Sequence, residues 1–336
     1  MRRRRIIGPQ EANRARGRER RGMTLSPATV PARTPVLRRS LRFAAIGACL
    51  PYLSLKVAWI AGSHLGIPDG SPLLRHRLTL ALANGLTVLM DASVVVLALL
   101  LTRPWGRRVP AWLLAVPMWL AVGLLAPIMV GFPLQLAVHG GHGGGGGTAD
   151  RPFLADWVFG VVYGGFIVQG LALGALFAGY ARERWGHLWR GRVRELPAAG
   201  AARAQRLTVV TAALVALVPG AVRLLRAFGV AAPDGSGDRS LQCAYLLFLA
   251  AAVTGAWQLA LRRGGTLPVA VPLALAWTGS GAVACWGGWM SLAAWVTGDR
   301  PTPPTVLTYA GQVITGFLVA SVIARFLTDR PGKASR

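Results

Sequence analysis

Eight runs of largely apolar residues, at roughly 41–62, 78–101, 110–132, 153–180, 207–226, 241–261, 267–296 and 305–326, constrain this chain more than any other feature. Each is long enough to cross the hydrocarbon core of a bilayer as a helix, which takes about 20 residues. A water-soluble domain of 336 residues has no interior large enough for them. The chain is 53% hydrophobic and only 15% charged, with a mean hydropathy of +0.47. Inside lipid every backbone N–H and C=O must find its partner within the chain, and helices satisfy that locally. The expected fold is therefore all-α: a polytopic membrane helical bundle of about eight transmembrane helices.

The charges test the count. Lys and Arg number 37 against 12 Asp and Glu, an excess that would suit nucleic acid if a polar domain carried it. No such domain exists, and no nucleic-acid partner is expected. With the N-terminus inside, 29 of the 37 fall on the cytoplasmic side: in the tail up to Arg42, in the connections 103–108, 182–206 and 262–263, and from Arg325 onward. The alternate connections hold only Arg75, Arg77, Arg151, Arg239 and Arg300. Adding or removing one helix would invert every later connection, so the charge bias favours an even count. The expectation is a multi-pass protein of the inner (plasma) membrane with both termini cytoplasmic, its Arg-rich loops facing anionic lipid headgroups.

Residues 1–40 carry twelve arginines, several prolines and no apolar periodicity, and read as a disordered cytoplasmic tail. The first apolar run is too long for a signal peptide and reads as an uncleaved anchor. The remainder divides into 41–206, 207–327 and a short cytoplasmic tail, 328–336.

The two membrane segments look alike. Pro51, Lys56 and the turn Pro68-Asp69-Gly70-Ser71 recur in order as Pro219, Arg223 and Pro233-Asp234-Gly235-Ser236. Pro110, Trp119 and Gly123 match Pro268, Trp277 and Gly281 at an offset of 158, and Tyr163, Gly165 and Gly170 match Tyr309, Gly311 and Gly316 at an offset of 146. An even number of spans per unit gives two parallel four-helix repeats about an axis along the membrane normal, with a contact plane between them.

The element Pro-Tyr-x3-Lys-x2-Trp at Pro51 to Trp59, followed by Pro68 to Ser71, resembles multi-pass integral membrane proteins of high-GC actinobacteria, and the resemblance extends over 41–327. That family has no assigned activity, so it implies the fold and carries over no site residue.

Few side chains in the runs can do chemistry. Lys56 and Asp91 fall inside the first two apolar runs, where each charge costs about 2.5–3.5 kcal/mol at mid-membrane. Neither should face lipid. An ion pair between them would serve either as a relay or counter-charge for a proton, cation or substrate, or as a structural link, with Asn84 and Thr87 as alternative partners for Asp91. Arg223 answers Lys56, but the place of Asp91 is taken by the region of Ala251, so Arg223 and Arg226 are expected to snorkel outward to lipid phosphates. Asp69 and Asp234 suit turn chemistry, with an outer-face ligand contact as the functional reading. His64, His76, His139 and His142 share the outer face without a metal-ligand spacing, and no metal or cofactor is expected. Gly160, Gly164, Gly170 and Gly174 offer a small-residue face for close helix approach, within the chain or toward a second copy or another membrane protein. Trp105, Trp112, Trp59, Trp157 and Trp295 suit interfacial belts.

No phosphate-binding loop, zinc-protease or serine-hydrolase motif is present. A membrane-embedded enzyme is the least favoured reading. The leading one is a transporter-like or ligand-binding protein with Lys56 and Asp91 in a cavity at the inter-repeat interface; the alternative is a non-transport partner, regulatory or structural subunit.

Overall fold

The computed structural model describes residues 35–68, 77–138, 154–196, 202–230, 239–298 and 300–330. Asp69, Asp234, His76, His139 and His142 lie outside them. The described chain is helical: α1 (Pro35–Gly47), α2 (Leu50–Ile60), α3 (Arg77–Thr102), α4 (Ala111–Val138), α5 (Asp156–Trp185), α6 (Ala202–Ala227), α7 (Arg239–Leu261), α8 (Ala270–Thr297) and α9 (Pro303–Thr328). Helix begins at Pro35, so the last six residues of the segment expected to be unstructured, 35–40, are helical, and the rest of it lies outside the described residues. The first apolar run is split. Pro51 sits in the first turn of α2 and lacks the N–H that would continue the ladder from α1. Pro117, Pro127 and Pro133 in α4 and Pro219 in α6 are carried inside unbroken helices.

Seven segments are long and apolar enough to cross a membrane: Pro35–Ile60, Leu82–Thr102, Ala111–Val138, Asp156–Trp189, Arg203–Ala227, Arg239–Leu261 and Pro303–Thr328. The expected eighth, α8, is 28 residues long and has no charged side chain, but it does not stand out with them. Its composition explains why: four glycines and four tryptophans dilute its hydropathy. A helix needs an aliphatic surface where lipid covers it, and the middle of α8 is covered by protein. It packs against α4, α7 and α9, and Ala276, Ser280, Ala282 and Val283 are fully buried.

Helices α6 to α9 form a closed four-helix group in which α6 meets both α7 and α9 and α8 meets both α7 and α9. Ala212, Ala252, Ala256, Val269, Ala276 and Val319 fill its centre. In the first half, α2, α3 and α5 meet one another and α4 leans on α5, around Ala45, Ala98, Leu114, Met118 and Leu173. The two halves touch through α4 against α7 and α8. Large exposed side chains such as Leu89, Val96, Leu171, Leu214, Leu247 and Phe317 cover the perimeter, as lipid-facing helices require.

The Arg-rich connections gather at one end of the bundle. Glu183 pairs with Arg38 and, at 3.2 Å, with Arg107. Arg184 donates to the Val109 carbonyl at 2.8 Å and Tyr180 to the Gly106 carbonyl at 3.0 Å, which holds the α3–α4 turn against α5. The linker after α5 pairs with the α7–α8 turn, Val193 N–H donating to the Leu267 carbonyl at 3.0 Å and Val269 N–H to the Gly191 carbonyl at 3.1 Å. Gln205 at the start of α6 reaches Asp329 at 3.3 Å. Connections that alternate along the chain therefore share an end.

Candidate functional site

The residue carrying a full charge deepest in the first half is Lys56, and α2 delivers it onto α3. Its ammonium donates to Asp91 Oδ2 at 2.8 Å, with the two side chains 0% and 5% exposed. Tyr52, four residues earlier and so on the same face of α2, places its ring centroid 3.5 Å from Nζ. From α5, Gln169 (2% exposed) hydrogen-bonds the Asp91 carboxylate, while its Oε1 has no partner. A wall of rings encloses the group: Tyr52 meets Phe166 edge-on at 5.1 Å, and Tyr163 contacts both Phe166 and Phe132. Taking two ions out of water is expensive unless their geometry is good and further hydrogen bonds satisfy them. The aromatic face, the amide and the short ion pair together meet that condition.

Asn84 lies two turns from Asp91 on the same face of α3. It is 7% exposed, and its Nδ2 has no partner. Thr87 donates instead to the Ala83 and Asn84 carbonyls at 3.0 Å. The sequence-level choice for Asp91 thus resolves toward Lys56 and Gln169.

In the second half Arg223 does not snorkel. It is 6% exposed and donates to Gln242 Oε1 at 3.0 Å, its guanidinium carbon 4.1 Å from the Tyr245 ring centroid. Gln242 and Tyr245 stand three apart near the start of α7, opposite the end of α6, so a planar, weakly hydrated guanidinium finds both an acceptor and a ring face inside the protein. Arg226, a turn further on, donates to Thr305 at 2.7 Å.

Lys56 and Asp91 sit between α2, α3 and α5, so the structure does not bring them to the contact between halves, where the charged cavity was expected. A Cβ on Gly281 of α8 would fall 3.0 Å from the Trp119 carbonyl oxygen and 3.2 Å from Gly123 Cα of α4. Only glycine on both helices allows backbones so close. Trp119 donates to Ser280 at 3.0 Å and Trp286 to the Leu124 carbonyl at 3.0 Å, closing the seam with hydrogen bonds.

Of the four α5 glycines expected to form a packing face, only Gly170 does so, against Met129 and Leu125; Gly160, Gly164 and Gly174 have nothing within 4 Å. Trp59 also departs from the belt expectation: it is buried and donates to the Leu65 carbonyl at 2.8 Å. Trp105, Trp112, Trp157 and Trp295 are exposed. Tyr52, Gln242 and Tyr245 were missed as site residues. The spacing of Tyr52 to Lys56 could have revealed the first; nothing in the local sequence singles out the other two. Compared with protein-family models, curated proteins and solved structures, the chain matches none.

Proposed function

We propose that the chain is a multi-pass inner-membrane protein of eight spans in two parallel four-helix units, and that Lys56, Asp91 and Gln169 form a transporter-like site for a proton or small cation in the first unit. The observation that carries this reading is the fully buried ion pair beside a Gln169 oxygen that has no partner. An acid and an amine deep in a membrane are expensive to keep, and such groups mark ion or proton pathways by default. The site belongs to one unit, not to the contact between units.

Several contacts support the duplication. Gly123 and Gly281, equivalent at the offset of 158, touch each other, as residues on a pseudo-two-fold axis do. Trp119 of the first unit crosses to Phe317 in the last helix of the second, and Trp277 crosses to Phe177 in the last helix of the first. Gly165 faces the Ala48 carbonyl just before Pro51, while Gly311 faces Pro219 and the Val215 carbonyl. One hydrogen bond is not repeated: Val122 stands where the second unit has Ser280, and Trp277 Nε1 is left without a partner. The positive-inside rule orients the Arg-rich end and both termini to the cytoplasm, against anionic lipid. The resemblance to actinobacterial multi-pass proteins belongs to the same proposal.

The glycine-packed seam favours a second reading, a non-transport partner or regulatory subunit, because a solid interface leaves no room for alternating units. Dissipation of an imposed pH gradient in liposomes containing the purified chain distinguishes the two. The transport reading expects faster collapse with the wild type than with Asp91→Asn or Lys56→Met. Equal rates in wild type, variants and protein-free liposomes would overturn it.

A further inference from the structure

Arg223 and Lys56 occupy corresponding places in the proposed duplication, yet their charges are balanced differently. Lys56 has a carboxylate 2.8 Å away. Arg223, equally withdrawn from the surface, has a neutral amide and a phenol ring, and among the described residues no carboxylate pairs with it. Its Nε–H is buried and has no hydrogen-bond partner. Arg226, one turn away on α6, adds a second positive charge near it, and Thr305 supplies a hydroxyl beside that. The negative end of the α6 dipole offsets Arg226 in the last turn. It reaches Arg223 less, and a partial charge does not satisfy a free N–H.

Two guanidinia one turn apart on α6, the first with a buried donor still open and the second bonded to a hydroxyl, are recognition elements of an oxyanion site. Arg223 lies four residues from the end of α6, about 6 Å along the axis, at the depth where lipid phosphates meet helix ends. We propose that the α6–α7 end of the second unit binds a phosphate oxyanion, either the headgroup of an anionic lipid or free phosphate, through Arg223 and Arg226. This site is in the other unit from Lys56 and Asp91 and does not rest on the transport reading.

The test is the unfolding temperature of the full chain in a neutral detergent, followed by tryptophan fluorescence as phosphatidylglycerol, phosphatidylcholine or inorganic phosphate is added. Wild-type protein should be stabilised by phosphatidylglycerol and not by phosphatidylcholine; a matching response to inorganic phosphate identifies the free anion, its absence the headgroup. Arg223→Gln should abolish the response. Arg223→Lys keeps the charge and the fold, and should weaken the apparent affinity at least about fivefold, because an ammonium cannot replace a planar fork. Three results would overturn the proposal: no stabilisation of the wild type by either probe, an unchanged response in both Arg223 variants, or a response that appears or strengthens in Asp234→Asn or Asp238→Asn, which would make the chain its own counter-charge.

Discussion

At the scale of single residues, burial without a partner decides what matters. Asp91 is held by Lys56 and Gln169, and its replacement by Asn strands an ammonium that is 0% exposed. Asp91→Asn is expected to cost about 3–5 kcal/mol, the usual penalty for breaking a buried pair from one side. The double variant Lys56→Met with Asp91→Leu should be more stable than either single change, because both charges leave together. Unfolding curves of the four proteins in one detergent check both statements. The pair itself was legible in the sequence, since two charges in successive apolar runs have nowhere else to go. The burial of Arg223 was not legible: with no carboxylate near Ala251, the sequence pointed outward to lipid phosphates, whereas the fold supplies Gln242 and the Tyr245 ring. An amide and an aromatic ring inside an apolar run carry no periodic signal.

At the scale of helices, glycine records which faces meet. Gly123 and Gly281 leave no space for a side chain, so Gly123→Leu should separate α4 from α8 and cost at least about 1–3 kcal/mol, the range for overpacking. Gly160 has open space around it, and Gly160→Ala should be neutral or gain up to about 1 kcal/mol from helix propensity. The thermal unfolding temperature should therefore fall in Gly123→Leu and hold or rise in Gly160→Ala. The sequence marked the α5 glycines by their spacing of four, but spacing does not say which side of a helix has a neighbour. The matched pair at offset 158 was the better guide, because it linked two positions that the fold brings into contact. The turns are also built elements. Arg184→Ala should release the Gly106 and Val109 carbonyls and destabilise the α3–α4 connection by about 1–3 kcal/mol, with faster proteolysis at Arg107 and Arg108 as the readout.

At the scale of the whole molecule, apolar length and charge placement together led to an all-helical bundle with its Arg-rich connections at one end, and the contacts of Glu183, Arg184, Val193 and Gln205 agree with that arrangement. What hydropathy could not rank was α8, because a helix covered by three neighbours can be assembled from Gly, Ala, Ser and Trp. Everything proposed about orientation depends on whether that helix crosses. Cysteine accessibility measures it directly, in a chain whose Cys49, Cys243 and Cys285 are first replaced by serine or alanine. With Arg263→Cys before α8 and Thr302→Cys after it, an impermeant thiol reagent applied to intact cells should label Thr302→Cys at once and Arg263→Cys only after permeabilisation. Labelling of both positions from the same side would mean that α8 does not cross the membrane, and that the two-unit account is wrong.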